Sequence, residues 1–105
     1  MKPIDFAREN WQSIVARVTG DREDVWRAWQ RFGPGTTEDV AARAGWDLLK
    51  FRPRTTELLQ AGFVVLQGRD KSRHAGVYRA ATEAEAISHF RQKQLDLNSG
   101  QLSLL

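Results

Sequence analysis

Cysteine is absent from this 105-residue chain, and proline and methionine are scarce. Without thiols the chain can form neither disulfide bonds nor thiolate zinc sites, and it has no cysteine nucleophile. No apolar run approaches the roughly 18 residues that a membrane-spanning helix needs, so no membrane partner is expected. Residues 1–5 lack the apolar stretch that follows the first lysine of a signal peptide. These absences together predict a cytoplasmic protein.

Groups that carry out catalysis or bind cofactors are also few. The two histidines, His74 and His89, have no third ligand at a spacing typical of metal sites. The glycines form no phosphate-binding loop, and no serine lies in a nucleophile elbow. The acids at positions 21, 23 and 24 are typical of a helix N-terminus rather than of a general acid and base. The sequence therefore predicts a protein that is not an enzyme, with no cofactor and no metal site.

The chain does have the apolar content of a folded domain, with 41% hydrophobic and 10% aromatic residues. Its net charge of +3 is unevenly distributed. Residues 1–45 are neutral overall, whereas residues 46–79 carry an excess of positive charge. The cations of this segment are Lys50, Arg52, Arg54, Arg69, Lys71, Arg73 and Arg79. A local basic patch favours a polyanionic partner, although it can also be a solvated face.

Hydrophobic periodicity predicts five helices and one hairpin. The predicted helices cover residues 5–18, 21–32, 38–44, 48 to about 61, and 83 to about 95. Two short β-type runs, at residues 63–66 and 76–80, enclose a polar segment that reads as a loop. Residues 96–105 read as a flexible tail, because Asn98-Ser99-Gly100 is typical of loops.

Local chemistry marks the helix ends. Asp21 and Asp47 are predicted N-caps, and Thr36 with Asp39 resembles a capping box. Gly45 and Gly62 suit the left-handed conformation that closes many helices. Thr82 is predicted to cap the last helix.

The order of these elements predicts a mainly α fold with a small β-hairpin. Three helices followed by a basic hairpin are the order of a winged helix-turn-helix, here with an extra N-terminal helix and a C-terminal helix and tail. Ala41 is small where two helices approach closely, and Gly45 supplies the turn between them. We expect one domain over residues 1–95, with its core in residues 21–81 and a flexible tail over residues 96–105.

Residues 37–80 resemble the small winged-helix DNA-binding domains of bacteriophages and prophages. The family pattern Pro-Arg-x-x-Glu-Leu-x-x-Ala-Gly-hydrophobic matches residues 53–63, which read Pro-Arg-Thr-Thr-Glu-Leu-Leu-Gln-Ala-Gly-Phe. The family's hairpin ends in an aromatic-Arg step, which is Tyr78-Arg79 here. The resemblance implies double-stranded DNA as the partner, and a role in transcription regulation or as a replication accessory.

In such a fold the fourth helix enters the major groove. With Phe51, Thr55 and Leu58 inward, the predicted outward face carries Lys50, Pro53, Arg54 and Glu57. Lys50 and Arg54 lie in the first turns and are expected to meet base edges, where an arginine can bind guanine O6 and N7, and Arg52 is expected at a phosphate. The expected DNA-binding set is Lys50, Arg52, Arg54, Glu57, Arg69, Lys71, Arg73 and Arg79.

Other interpretations of these residues remain open. Lys50, Arg54 and Glu57 could form an exposed salt-bridge row, and basic hairpin loops are often merely solvated. Trp11, Trp29 and Trp46 fall on apolar stripes, whereas Trp26 could pack in the core or stack on a nucleotide. The N-terminal helix could form a homodimer contact. The whole domain could also be a non-catalytic protein-interaction module whose basic face meets an acidic protein.

The last five residues, Gln101-Leu102-Ser103-Leu104-Leu105, resemble the short motif with which bacterial replication and repair proteins bind the sliding clamp. Four positions match the form Gln-Leu-(Ser/Asp)-Leu-Phe, and Leu105 replaces the usual Phe. The resemblance implies that a bacterial sliding clamp is a second partner. The alternative is an apolar tail that folds back on the domain.

Overall fold

The computed structural model describes residues 11–103, and for residues 94–103 it describes only the backbone. The described elements are α1 (residues 11–15), α2 (Asp21–Phe32), α3 (Thr37–Ala44), α4 (Leu48–Ala61), β1 (Val64–Asp70), β2 (Ala75–Ala80) and α5 (Glu83–Ser103). The order agrees with the predicted helices and hairpin, but α1 ends at residue 15 rather than at the predicted residue 18. The predicted start of the first helix at residue 5 lies outside the described residues.

The helix ends around the central turn have the predicted caps. The Asp39 N–H donates to Thr36 Oγ1 at 3.1 Å, and the Thr36 N–H donates to Asp39 Oδ2 at 3.4 Å, which completes the capping box. Gly45 ends α3 in the left-handed region with φ 73°. The Leu49 N–H donates to Asp47 Oδ1 at 3.3 Å at the start of α4. These contacts confirm the predicted boundaries of α3 and α4.

The N-terminus of α2 differs from the prediction. Gly20, with φ 62°, is the N-cap, no side chain caps this end, and Asp21 is the first helical residue. Asp21 therefore does not act as the predicted cap. It stabilises the helix instead through its charge near the positive end of the helix dipole, together with Glu23 and Asp24.

The core lies between α2, α4 and the hairpin. Trp29, Phe51 and Leu58 are almost completely buried, and the Trp29 and Phe51 rings are 6.0 Å apart. The Trp29 indole N–H donates to Thr55 Oγ1 at 3.0 Å, so a buried hydrogen bond joins α2 to α4. This bond and the apolar contacts fix which face of α4 points inward.

Trp26 belongs to a second aromatic cluster in the interior. The centroid of its ring lies 6.1 Å from that of Trp11 and 5.0 Å from that of Phe63, with edge-on geometry at both contacts. Such geometry is favourable between aromatic rings. The packing interpretation of Trp26 is therefore confirmed, since a ring that is only 7% exposed has no face for a nucleotide.

The hairpin is longer than predicted. β1 and β2 pair antiparallel from Val64↔Ala80 to Asp70↔Ala75, with an irregularity between Leu66 and Gly68. Residues 66–69 are exposed, so this part of β1 lacks the apolar alternation from which strands are recognised. Backbone pairing holds it instead, so the strands extend into the segment predicted as a loop, and only residues 71–74 form the turn.

A backbone bridge joins the hairpin to the turn after α2. The Gly35 N–H donates to the Tyr78 carbonyl at 3.0 Å, and the Tyr78 N–H donates to the Gly35 carbonyl at 2.8 Å. This pair of bonds holds β2 beside the start of α3, so the position of the hairpin is fixed relative to the helices.

Helix α5 continues past its predicted end. Thr82 and Glu85 form a capping box at its start, as predicted for Thr82, and Ala86 is buried. The sequence predicted a flexible tail from residue 96, but the helix runs through Asn98-Ser99-Gly100 to Ser103. Asn, Ser and Gly each cost a helix only about 1 kcal/mol or less, so three together lower its stability without ending it.

Candidate nucleic-acid interface

The outer face of α4 is exposed opposite the core. Phe51, Thr55 and Leu58 point inward, and Leu49, Pro53 and Thr56 are exposed on the other side. We call these last three residues the outer stripe, because their i, i+4 and i+7 spacing places them on one face of a helix. Their exposure leaves about two turns of α4 accessible to a partner.

Two cations flank the outer stripe. Lys50 and Arg52 are both exposed, and successive residues turn about 100° around a helix axis, which places them on opposite sides of the stripe. Neither side chain has a hydrogen-bond or ion-pair partner among the residues that the structure describes. Both charges are therefore available to an anion.

Arg54 and Glu57 differ from the predicted outward face. Arg54 Nη1 lies 2.9 Å from Glu57 Oε1, and Arg22 Nε of α2 lies 2.7 Å from Glu57 Oε2. Both α4 side chains are half-buried on the side that faces α2. This arrangement is the salt bridge of the alternative interpretation, extended to α2 and without Lys50. It joins the two helices and reduces the charge that Arg54 offers to a partner.

We call the hairpin tip, residues 69–76, the wing. Like α4, it carries both unpaired and paired cations. Arg69 and Lys71 are exposed and have no side-chain partner within the described part of the chain. Arg73 instead donates to both carboxylate oxygens of Asp39, at 2.9 and 2.8 Å, and through Nε to Asp70 at 2.9 Å. We call Arg73, Asp39 and Asp70 the wing latch, because they join the wing to the start of α3.

The wing latch lowers the pKa values of its two carboxyl groups. The hydrogen bonds from the Arg73 guanidinium hold the pKa of Asp39 well below its ordinary value of 3.8. The pKa of Asp70 is also lowered, first by the Ser72 hydroxyl and then by Arg73. Sequence reasoning found Asp39 as a capping residue but missed the latch, since nothing local connects two residues 34 positions apart.

Arg79 is held at the other end of the hairpin. Its Nη1 and Nη2 lie 2.7 and 2.8 Å from the two carboxylate oxygens of Glu85, which lowers the pKa of Glu85 to about 2. Arg79 therefore joins β2 to α5, and its charge is neutralised. The cations of the predicted set that remain without a partner among the described residues are Lys50, Arg52, Arg69 and Lys71. We call them the four unpaired cations.

A groove connects the α4 face with the wing. This cavity, of about 230 Å³, lies between the start of α3, α4 and the base of the wing. Thr37 of α3, Arg52 of α4, and Arg73 and Gly76 of the wing are among the residues that line it. The outer stripe, the groove and the wing therefore form one continuous surface.

Among the side chains that the structure describes, those of residues 11–93, no three His, Asp or Glu residues converge as a metal site. No helix within residues 11–103 combines the length and the apolar character that crossing a membrane requires.

The arrangement of α3, α4 and the wing is that of a winged helix-turn-helix. Comparison with family models gives no match, and comparison with curated proteins gives no significant match. Solved structures of other proteins share the fold, among them the following two. One is Staphylococcus aureus MarR in complex with salicylate and kanamycin, with a TM-score of 0.55 and 10% identity over 91% of this chain. The chain spans 64% of the length of that protein.

The second structure is a homodimeric winged helix-turn-helix DNA-binding domain from Mycobacterium bovis, described as a possible ArsR-family transcriptional regulator. It has a TM-score of 0.53 and 18% identity, and the match covers 96% of this chain and 91% of that domain. Identities this low establish the fold alone. The predicted fold class, a winged helix-turn-helix with an N-terminal and a C-terminal helix, is confirmed.

Proposed function

We propose that this protein is a transcription regulator that binds double-stranded DNA, with α4 in the major groove and the wing on the sugar-phosphate backbone. The observation that carries the proposal is the selective pairing of charge. Arg54, Arg73 and Arg79 are paired with carboxylates, whereas the other four cations of residues 46–79 have no partner among the described residues and lie on the exposed side of α4 or on the wing. A folded domain gains nothing from leaving these charges together, but a polyanion binds them strongly.

The proposal gives α4 and the wing different roles. The major groove of B-DNA admits one α-helix, and the outer stripe of α4 is the part free to enter it. Lys50 and Arg52, on either side of the stripe, then meet the phosphates of the two strands. Arg69 and Lys71 extend along the backbone from the wing and supply charge rather than sequence readout. The resemblance of residues 37–80 to phage winged-helix domains supports the same assignment.

We also propose that the protein acts as a homodimer. The Mycobacterium bovis neighbour is a homodimer, and α5 is a 21-residue helix of which the first turns pack on the domain. A two-fold dimer places its two α4 helices in successive major grooves, about 34 Å apart. Light scattering of the purified chain and the spacing of half-sites in the bound DNA test this part of the proposal.

The test of DNA binding begins with selection of preferred sites from a random duplex library. Fluorescence anisotropy then compares the selected site with random duplex for the wild type and two double variants. Lys50→Ala/Arg52→Ala is expected to weaken binding at least tenfold. Arg31→Ala/Arg91→Ala removes two exposed cations from α2 and α5 and is expected to change affinity less than twofold. No binding to any duplex at low salt, or equal losses in both variants, would contradict the proposal and favour a protein-interaction module.

Docking on a sliding clamp is a separate prediction with its own test. Residues 101–103 belong to α5 in backbone, their side chains are not described, and Leu104 and Leu105 lie outside the described residues. The intact chain and a form that lacks residues 101–105 are titrated against purified bacterial clamp. Binding that truncation abolishes would support a replication accessory. Equal behaviour of the two forms would end the clamp hypothesis and leave the DNA-binding proposal untouched.

A further inference from the structure

Leu49 is the most exposed large apolar residue in the described part of the chain, with 77% of its surface accessible. It is the second residue of α4 and the first of the outer stripe. The Asp47 carboxylate accepts its backbone N–H, which fixes the start of the helix and therefore the direction of the side chain. An apolar group held in the solvent at this position contributes nothing to the core.

The surroundings of Leu49 indicate what covers it. Lys50, adjacent in sequence, and Arg52 are unpaired cations that flank the outer stripe, so negative charge on a partner that covers Leu49 would be complementary to them. A DNA duplex offers both features together, because phosphates border the major groove and the C5-methyl group of thymine is the apolar group on its floor. The N-terminal residues of a recognition helix are those that reach base edges.

We propose that Leu49 contacts the C5-methyl group of thymine and is a specificity-determining residue of this interface. The inference rests on the proposed DNA-binding function and adds to it the base that one side chain selects. Leu49 provides apolar contact without hydrogen bonding, so it discriminates thymine from cytosine and uracil by the methyl group rather than by the pairing edge. Lys50 and Arg52 hold the helix at the depth where this contact forms.

The test replaces single thymines of the selected site by uracil, which removes the methyl group and keeps every hydrogen-bonding group of the base pair. At one or two positions of each half-site, the substitution is expected to weaken wild-type binding about 3- to 5-fold, the factor for losing one buried methyl group. Leu49→Ala is expected to bind the thymine site more weakly and to bind the thymine and uracil sites equally. Its melting temperature is expected to match the wild type, because the side chain is exposed.

Leu66→Ala is the matched control. Leu66 is 60% exposed but lies on β1, away from the outer stripe, so this variant is expected to keep the wild-type response to uracil. Wild-type binding that is indifferent to uracil at every position, or a Leu49→Ala variant that keeps the wild-type response, would overturn the inference while DNA binding itself stands. Failure of the wild type to bind any duplex would instead overturn the proposed function, and the inference with it.

Discussion

The salt dependence of DNA binding depends on how many cations are free to meet phosphates. Each phosphate contact contributes about −0.9 to the slope of log affinity against log salt concentration. The four unpaired cations predict a slope of about −3.6 for one bound subunit, whereas all seven cations of residues 46–79 would give about −6.3. Anisotropy titrations on a random duplex of about 12 base pairs, from about 50 to 200 mM salt, measure this slope.

Two double variants separate the contribution of the wing to this slope from that of a paired arginine. Arg69→Ala/Lys71→Ala removes the unpaired cations of the wing, so the slope is expected to fall to about −1.8. Arg79→Gln/Glu85→Gln removes one neutralised pair at the base of the hairpin and is expected to leave the slope at about −3.6. A wild-type slope near −6, or a large change in the second variant, would refute the reasoning, because it would mean that the ion pairs open and their arginines bind DNA.

Three further predictions concern the folded state. Thr55→Val leaves the buried Trp29 indole N–H without an acceptor and is expected to cost about 1–3 kcal/mol in urea unfolding, against less than about 0.5 kcal/mol for Thr56→Val at the exposed neighbour. The pKa of Glu85 is lowered from 4.5 to about 2, so its carboxylate stabilises the fold above pH 4.5 and loses this effect as the pH falls towards 2. Glu85→Gln is therefore expected to flatten the fall in melting temperature between these two pH values. Gly62→Ala is expected to destabilise the fold by more than about 1 kcal/mol in the same urea assay, because the Gly62 φ is 87° and a Cβ there would lie 2.6 Å from the imidazole ring of His89. Unchanged stability would contradict this steric argument.

The boundaries of α3 and α4 could be predicted from sequence because their causes are local. The capping box of Thr36 and Asp39 spans four residues, and Gly45 needs only its own left-handed backbone to end α3. The inward face of α4 follows from the spacing of Phe51, Thr55 and Leu58 alone. Each of these features depends on contacts within one or two helical turns, so the sequence alone predicts it.

Which cations are paired could not be fully predicted, because several of the ion pairs join distant segments, whereas the local Arg54–Glu57 pair was among the open interpretations. Composition shows seven cations in residues 46–79, but only the fold brings Arg73 to Asp39 and Arg22 to Glu57. The extent of β1 was missed for a related reason, since its exposed residues are held by backbone pairing that leaves no mark in the side-chain pattern.

The backbone bridge between Gly35 and Tyr78 has a thermodynamic consequence for recognition. Together with the wing latch, it holds the hairpin in one orientation before any ligand arrives. A loop that is ordered only on binding loses conformational entropy at that moment, whereas a pre-organised loop does not. Association of this domain with DNA should therefore proceed close to rigid-body docking, with a heat-capacity change that reflects only the contact surface and not the folding of a segment.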